Sequence, residues 1–330
     1  MKKVLMLGFG CMGRVHYDVW KRLRGVKVAG VFDKNPNALS DPPAKAYGYV
    51  EVSDGKPVPK SLRLFGDLDE ALRETKPDIA DCTLPTRFHV DTAIAAMKAG
   101  ADVLCEKPMA LDSAGCAKMI AASKKYGRKL MVAQCLRFAP EYAFAKKLVD
   151  SGKFGKTVAA SFWRLTAPPK TPKGAKAWFF DEKLSGGIAL DLNVHDTDIV
   201  RWIFGEPQSV KIDAHRRGKC VDHFIAKYGY KDAFVTSEAS WAASPSFAFQ
   251  FGYRIMFERA TVVYDPWRKD ALTVYPEKGA AYPAPVKTAS PYAGEIKAFL
   301  AWTEGRIKSA PVCNCDIMKT ISLITEGFNL

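Results

Sequence analysis

The sequence predicts an α/β chain: a doubly wound parallel sheet in the N-terminal part, then an α+β domain on a large, mostly antiparallel open sheet. Three observations predict it. A short apolar run ends in Gly8-Phe9-Gly10-Cys11-Met12-Gly13 and opens a helical pattern, the context in which G-x-G-x-x-G marks a strand–turn–helix unit. Up to residue 137, apolar runs alternate with segments of helical spacing, as in a parallel sheet covered on both faces. Beyond that point strand-like runs follow one another through short turns such as Tyr228-Gly229-Tyr230, the habit of antiparallel neighbours. The 330 residues suit about two domains at roughly 150 residues each, and the change of pattern divides them as 1–137 and 138–330.

The elements follow in order. Val4–Gly8 is the first strand, and Arg14–Leu23 places Val15, Val19, Trp20 and Leu23 at helical spacing. Val26–Phe32 is the second strand. Residues 34–66 hold Pro36, Pro42, Pro43, Pro57 and Pro59 without periodicity, so they read as a surface excursion with little regular structure. Asp67–Thr75 reads as a helix, Asp78–Leu84 as a strand, His89–Ala99 as a helix stopped by Gly100, Asp102–Cys105 as a strand, Ser113–Tyr126 as a helix and Lys129–Cys135 as a strand. Right-handed crossovers then wind helices onto both faces. In the second part Glu141–Asp150 reads as a helix, Thr157–Leu165 as a strand and Ala189–Phe204 as one helix. Strands are expected at Ser209–Arg216, His223–Tyr228, Ala233–Trp241, Ala248–Glu258, Thr261–Tyr264 and Leu272–Tyr275, before helices at Glu295–Glu304 and Asp316–Glu326. Helices on one side of this sheet leave its other face for a second subunit.

Composition narrows the class. Hydrophobic residues make up 48% of the chain, enough for a large core, and the net charge is +14. The lysines are dispersed, whereas a nucleic-acid patch is clustered, so a solvated basic surface or attraction of an anionic small molecule is expected and nucleic acid is not. The eight cysteines form no CxxC pair, and several sit in apolar strand-like runs. Such thiols read as buried and free, which points to a reducing cytoplasm and away from a metal site. The apolar stretch after Met1-Lys2-Lys3 is only strand-length and carries glycines, unlike a secretion signal. With no run of 18 apolar residues, no membrane span is expected.

The glycine turn carries the first chemistry. Gly8 permits the tight turn, Gly10 lets backbone approach a pyrophosphate at the helix N-terminus, and Gly13 allows close packing of helix on strand. Phe9, Cys11 and Met12 complete the turn. Asp33 ends the second strand, 20 residues after Gly13. A carboxylate there accepts from both adenosine ribose hydroxyls and repels a 2′-phosphate, which favours NAD. Lys34 beside it softens that repulsion, so NADP use stays open. Thr83 to His89 follow the third strand, where open α/β sheets bind ligands. This puts Leu84, Thr86 and His89 among the cofactor candidates, with His89 equally readable as a surface residue.

The second chemistry lies further on. Glu106-Lys107-Pro108 ends another strand of the same sheet, and Pro108 keeps Lys107 out of helical geometry. An ammonium held there can bind a substrate hydroxyl and stabilise a developing alkoxide. Asp191 and His195 stand at i and i+4 and share a face if one helix carries both. The carboxylate then sets the imidazole tautomer, and the other ring nitrogen is free to take a proton; a capping aspartate and a core histidine would look the same. Gly186-Gly187 upstream lets backbone approach a ligand. Asp198 is a secondary partner for His195. Arg137, Arg164 and Trp178 are candidate substrate contacts. His16, His215 and His223 read as structural or surface residues.

These segments resemble the glucose–fructose oxidoreductase, inositol dehydrogenase and rhizopine catabolism (Gfo/Idh/MocA) family over nearly the whole chain. The resemblance is carried by Gly8–Gly13, Thr83–His89, Glu106-Lys107-Pro108, Leu136–Pro140, Gly186–Asp198 and the Tyr292…Glu295…Phe299 stretch. It implies an NAD(P)-binding Rossmann domain at 1–137 and a substrate-binding and oligomerisation domain at 138–330, in a homodimer or homotetramer. It also implies Lys107, Asp191 and His195 as the catalytic set. His195 would be the acid/base, Asp191 its orienter and Lys107 the holder of the hydroxyl, with Glu106 beside the cofactor. Thr86 and Gln134-Cys135 depart from the asparagines common at those places, which weakens any transfer of detailed cofactor contacts. The function implied is hydride transfer between a secondary alcohol of a sugar, sugar derivative or cyclitol and NAD. A glycosidase that retains NAD and works through a transient ketone needs the same motifs, and a ligand sensor that has lost catalysis is the other rival.

Overall fold

The computed structural model describes residues 1–40, 58–59, 61–169 and 180–328. Trp178 and much of the proline-containing excursion lie outside the described residues. The chain forms two compact units: Met1–Cys135 with Tyr292–Ile321, and Leu136–Pro291 with Ser322–Leu330.

The first unit runs β1 (Lys2–Leu7), α1 (Cys11–Trp20), β2 (Val26–Phe32), β3 (Leu64–Phe65), α2 (Leu68–Thr75), β4 (Ile79–Cys82), α3 (His89–Lys98), β5 (Asp102–Glu106), α4 (Ser113–Tyr126) and β6 (Leu130–Ala133). All strand pairings are parallel, in the order β3-β2-β1-β4-β5-β6. The order reverses between β1 and β4, which creates a ligand crevice at their C-terminal ends. Every residue of the central strand β4 and of the edge strand β6 is buried, as in a parallel sheet covered on both faces. Helix ends follow local chemistry. Asp67 accepts the Glu70 N–H at the start of α2, and Asp112 accepts the Gly115 N–H at the start of α4. Gly127 ends α4 in the left-handed region. Helix α1 begins at Cys11, not Arg14, because its first turn is glycine-rich and carries no apolar stripe to read. The excursion supplies the short strand β3, beside β2.

The second unit holds α5 (Pro140–Ser151), β7 (Thr157–Leu165), α6 (Glu182–Ser185), α7 (Gly187–Asp191), α8 (Val194–Phe204), β8 (Ser209–Arg217), β9 (Cys220–Gly229), β10 (Phe234–Ser240), β11 (Gln250–Phe257), β12 (Ala260–Tyr264), β13 (Leu272–Pro276) and β14 (Tyr282–Pro283). Its eight strands lie in the order β14-β13-β12-β11-β7-β10-β9-β8. They are antiparallel except for β7 with β10. Alternation along β7 turns Ala160, Phe162 and Arg164 inward. Tyr142 packs on Tyr253 and Tyr264, and Phe162 packs on Tyr253.

Ala189–Phe204, expected as a single helix, is divided between α7 and α8. Gly186 and Gly187 both take positive φ, 75° and 60°, and serve the reversal from α6 into α7. A Cβ on Gly186 would collide with the Leu190 side chain. The helical ladder breaks again after Asp191, where the N–H groups of Leu192 and Asn193 both go to the Ile188 carbonyl. Two further helices, α9 (Pro291–Thr303) and α10 (Asn314–Phe328), close the chain, with α9 and the start of α10 in the first unit. Among the described residues no helix is long and apolar enough to cross a membrane, and all eight cysteines are free.

Candidate active site

In the first unit the glycine turn is shaped by two close approaches. Gly8 has φ 98°, and a Cβ there would lie 3.0 Å from the backbone of Thr83 and Leu84. A Cβ on Gly13 would strike the Gly8 carbonyl, while the Thr83 hydroxyl donates to that same carbonyl at 2.9 Å. At Gly10 a Cβ would meet nothing within 4 Å, and the α1 N-terminus carries no side-chain cap. That leaves an open cradle of N–H donors where a pyrophosphate fits. Phe9 is turned inward, edge-on to Tyr17 and under the Arg14 guanidinium, and its N–H donates to Asp33 Oδ2 at 2.8 Å. Asp33 Oδ1 accepts the Asn35 N–H at 2.9 Å. A carboxylate offers about four acceptor sites, so this half-buried aspartate still has capacity for ribose hydroxyls. Lys34 is exposed, and its Nζ donates to the Gly66 carbonyl. Burial pushes the Cys11 thiol up to about 11, so it is no thiolate. Met12 is half-buried and Thr86 buried, at the start of a 3₁₀ turn.

Two candidates take other duties. His89 is 1% exposed. Its Nδ1 lies 2.9 Å from the Pro108 carbonyl and its Nε2 2.7 Å from the Leu84 carbonyl. Burial holds its pKa below the ordinary value, against the pull of those carbonyls. Both ring nitrogens are thus turned to backbone carbonyls of two crevice loops, and the neutral ring, with a single N–H, donates to one of them at a time. Glu106 is also buried: Oε2 accepts the Lys107 N–H at 2.9 Å and Oε1 lies 3.1 Å from His16 Nε2. Lys107 is half-buried in a run where its neighbours from Val103 to Ala110 are buried, and the Lys107–Pro108 peptide is cis.

In the second unit Asp191 is the last residue of α7, and His195 is the second of α8. Along Asn193–Val200 only His195 keeps partial exposure, and Asp191 shares it. Helix α8 is pinned by two buried bidentate pairs. Arg164 donates to Asp196 at 2.9 and 3.1 Å, and Arg137 to Asp198 at 2.8 and 2.7 Å. Arg137 and Arg164, offered by the sequence as substrate contacts, thus act on the helix that carries His195, and Asp198 faces Arg137. Burial raises the Asp196 pKa, opposed by Arg164. Beneath the break in the helix, Asn193 Nδ2 donates to Ser237 Oγ at 3.1 Å and the Thr197 hydroxyl donates to Asn193 Oδ1 at 2.8 Å. The Tyr228 hydroxyl joins Thr197 and Ser237 at 2.8 and 2.9 Å. All four side chains are buried, and burial lifts the Tyr228 hydroxyl to about 12, so it stays a hydrogen-bonding phenol.

Sequence reasoning missed this ring and the environment of His16. The one signal for the latter was an aspartate, Asp81, in the apolar strand Ile79–Cys82.

Comparison with known proteins supplies the remaining findings. Residues 2–134 match the model of an oxidoreductase family with an NAD-binding Rossmann fold, and residues 142–263 match a GFO/IDH/MocA C-terminal domain. Inositol 2-dehydrogenase 2 of Saccharopolyspora erythraea is 30% identical over 64% of this chain, a match spanning 56%, about half, of that relative's length. Inositol 2-dehydrogenase of Rhizobium meliloti is 27% identical over 94% of this chain and 91% of its own. A levoglucosan dehydrogenase solved with NADH and levoglucosan superposes with a TM-score of 0.80 at 19% identity, over 99% of this chain and 96% of that one, a likeness of fold.

Proposed function

The chain belongs to the Gfo/Idh/MocA oxidoreductases, a family with an NAD-binding Rossmann fold, and from that premise we propose that it is an NAD-dependent dehydrogenase acting on a secondary alcohol of a sugar, sugar derivative or cyclitol. The observation that carries the reading is the pattern of exposure. Lys107 in one unit, and Asp191 and His195 in the other, are polar side chains left partly open in stretches otherwise buried and held by hydrogen bonds. The names of relatives acting on inositol, and of a structural neighbour holding levoglucosan, support the substrate class.

NAD, when bound, supplies the hydride acceptor for the alcohol carbon. Asp33 holds the adenosine ribose, and the α1 N-terminus takes the pyrophosphate. The Lys107 ammonium binds the reacting hydroxyl and offsets the negative charge that grows on its oxygen. His195 removes the hydroxyl proton, and Asp191 fixes the imidazole orientation for that transfer. The second unit supplies the substrate side and the subunit contact of a cytoplasmic homodimer or homotetramer. Tyr275, Met256, Phe234 and Ile225 share its open sheet face and are 37%, 37%, 52% and 42% exposed.

The test is NADH formation over a panel of cyclitols, free sugars, nucleotide sugars and glycosides, with His195→Ala and Lys107→Ala beside the wild type. Each variant should lose about 10² or more in turnover while NAD still binds. Wild-type turnover in His195→Ala removes the assignment. Phenol release from an aryl glycoside without net NADH makes the protein a glycosidase that retains its cofactor.

A further inference from the structure

A group of buried titratable side chains outside the proposed catalytic set lies within the first unit. His16, on α1, is fully buried. Its Nδ1 is 3.0 Å from both carboxylate oxygens of Asp81 on β4, and its Nε2 is 3.1 Å from Glu106 Oε1 at the end of β5. Glu295, on α9, stands 3.7 Å from the same Nε2; it is fully buried, and neither of its oxygens has a hydrogen-bond partner among the described residues. Trp20 Nε1 donates to Asp81 Oδ2 at 2.6 Å. The far oxygen of Glu106 accepts the Lys107 N–H at 2.9 Å.

We propose that His16 is a positioning residue for Lys107: clamped between Asp81 and Glu106, it fixes the Glu106 carboxylate, which holds the Lys107 peptide N–H and so the root of the lysine side chain. The inference rests on the reading of Lys107 as catalytic. Both His16 nitrogens face carboxylates, Nδ1 in hydrogen bonds to Asp81 and Nε2 in an ion-pair contact with Glu106 that is not an aligned hydrogen bond. A neutral imidazole carries a proton on one nitrogen alone, so an imidazolium is the form that suits both. Burial by itself would lower the His16 pKa, but Asp81 and Glu106 raise it well above the ordinary value. For Glu106 the desolvation is outweighed by His16, and its pKa is lowered. Glu295 is the third acid around one cation. Burial raises its pKa well above the carboxylate range against the pull of His16, so it stands as a neutral acid. The helix that opens at the pyrophosphate cradle therefore also carries the clamp, and one rigid element spans cofactor site and lysine.

The same atoms have a competing use. His16 Nε2 and an oxygen each from Glu106 and Glu295 lie within 4.8 Å of one another, close enough to hold a divalent cation. The 3.1 Å contact of Nε2 with Glu106 is an ion pair and not an aligned hydrogen bond, since Nε2, like both Glu295 oxygens, has no hydrogen-bond partner among the described residues. An imidazolium there supplies the positive charge that a cation would otherwise bring.

Isosteric variants of the whole protein test the proposal. Glu106→Gln removes the charge that pairs with the His16 imidazolium, leaves one acceptor oxygen for the Lys107 N–H and turns an amide N–H₂ toward Nε2, so the ion pair that fixes the side chain is lost. Glu295→Gln keeps the shape and neutrality of the acid. Glu106→Gln and His16→Gln should each lower kcat per NAD-binding site by tenfold or more, and about a hundredfold if Lys107 shifts by roughly 1 Å, with the NAD Kd and the substrate KM within about threefold. Glu295→Gln should keep kcat within about threefold of wild type. A purely structural role would lower Tm and leave kcat per binding site unchanged, and that result overturns the proposal. If Lys107→Ala retains turnover, the catalytic reading falls first; if Lys107→Ala is inactive and Glu106→Gln is not, the positioning role falls alone. Histidine ¹⁵N NMR of the wild type needs no variant to fold. Two protonated His16 nitrogens at neutral pH support the clamp, whereas a neutral His16 or a stoichiometric divalent cation bound there overturns it.

Discussion

Replacing Arg164 by Met isolates what holds α8 in place. The Asp196 carboxylate is fully buried and the Arg164 side chain is 7% exposed, with two charge-assisted hydrogen bonds between them and the guanidinium also stacked 5.6 Å over the Phe251 ring. Met keeps much of the apolar stem and removes every donor. Stranding one member of a buried pair costs about 3–5 kcal/mol, and at about 2–4 °C per kcal/mol for a unit of this size the loss is roughly 6–20 °C in Tm. The pH dependence has a definite sign. Burial already raises the Asp196 pKa above its unfolded value of 3.8, with Arg164 opposing. Without Arg164 the native pKa rises further, so the native state binds more protons than the unfolded state above that value. The unfolded value is common to both proteins, so the deficit of the variant widens as pH rises past the native Asp196 pKa of the wild type, which lies above 3.8, and narrows on acidification. Thermal and urea unfolding of wild type, Arg164→Met and Arg164→Met/Asp196→Asn at two pH values measure it. The double variant should recover most of the loss, because the stranded charge is gone. A single variant within about 1 kcal/mol of wild type at neutral pH, or a deficit that shrinks as pH rises, would refute the reasoning.

Three other perturbations follow from the same geometry. Asp33→Ala removes the acceptor for two backbone N–H groups and the repulsion of a 2′-phosphate, so NAD should weaken by about tenfold or more and the gap to NADP should narrow; an unchanged cofactor preference by titration takes Asp33 out of the ribose site. Gly13→Ala drives a Cβ into the Gly8 carbonyl and should abolish NAD binding in a calorimetric titration while the second unit still folds. Tyr228→Phe leaves Thr197 and Ser237 each short of a partner in a buried ring and should cost about 1–3 kcal/mol in urea unfolding; a loss of a few tenths would show that water replaces the hydroxyl.

The parts legible in the sequence were those whose physics is local. Strand periods, the glycine turn and the 20-residue interval to Asp33 all lie within one unit of supersecondary structure, and they placed the parallel sheet and the cofactor crevice. The two halves of Arg164–Asp196 and Arg137–Asp198 were both in view, but nothing in a linear pattern says that β7 delivers an arginine to a particular turn of α8. That is why they read as substrate contacts. His89 stayed open for a related reason: a histidine after a strand looks the same in sequence whether it faces a phosphate, solvent or two carbonyls. The break at Asn193 was hidden because its cause, a ring of hydrogen bonds to Thr197, Ser237 and Tyr228, is assembled from three separate elements. Asp191 and His195 lie on the two sides of that break, where the sequence drew one helix.

The first unit is interrupted in sequence: residues Tyr292–Ile321 belong with Met1–Cys135. That has a consequence for synthesis on the ribosome. The nucleotide-binding half is translated first but cannot be finished then. Glu295, whose acid sits by His16, and Asn314, whose Nδ2 donates to the Leu130 carbonyl, emerge only after the whole intervening sheet. Until then the nascent Rossmann half exposes the surface that α9 later covers, on Ile296, Phe299 and Leu300. A fragment cut at residue 137 should therefore be a client for chaperones, and maturation of the cofactor site should wait for synthesis of residues 292–321.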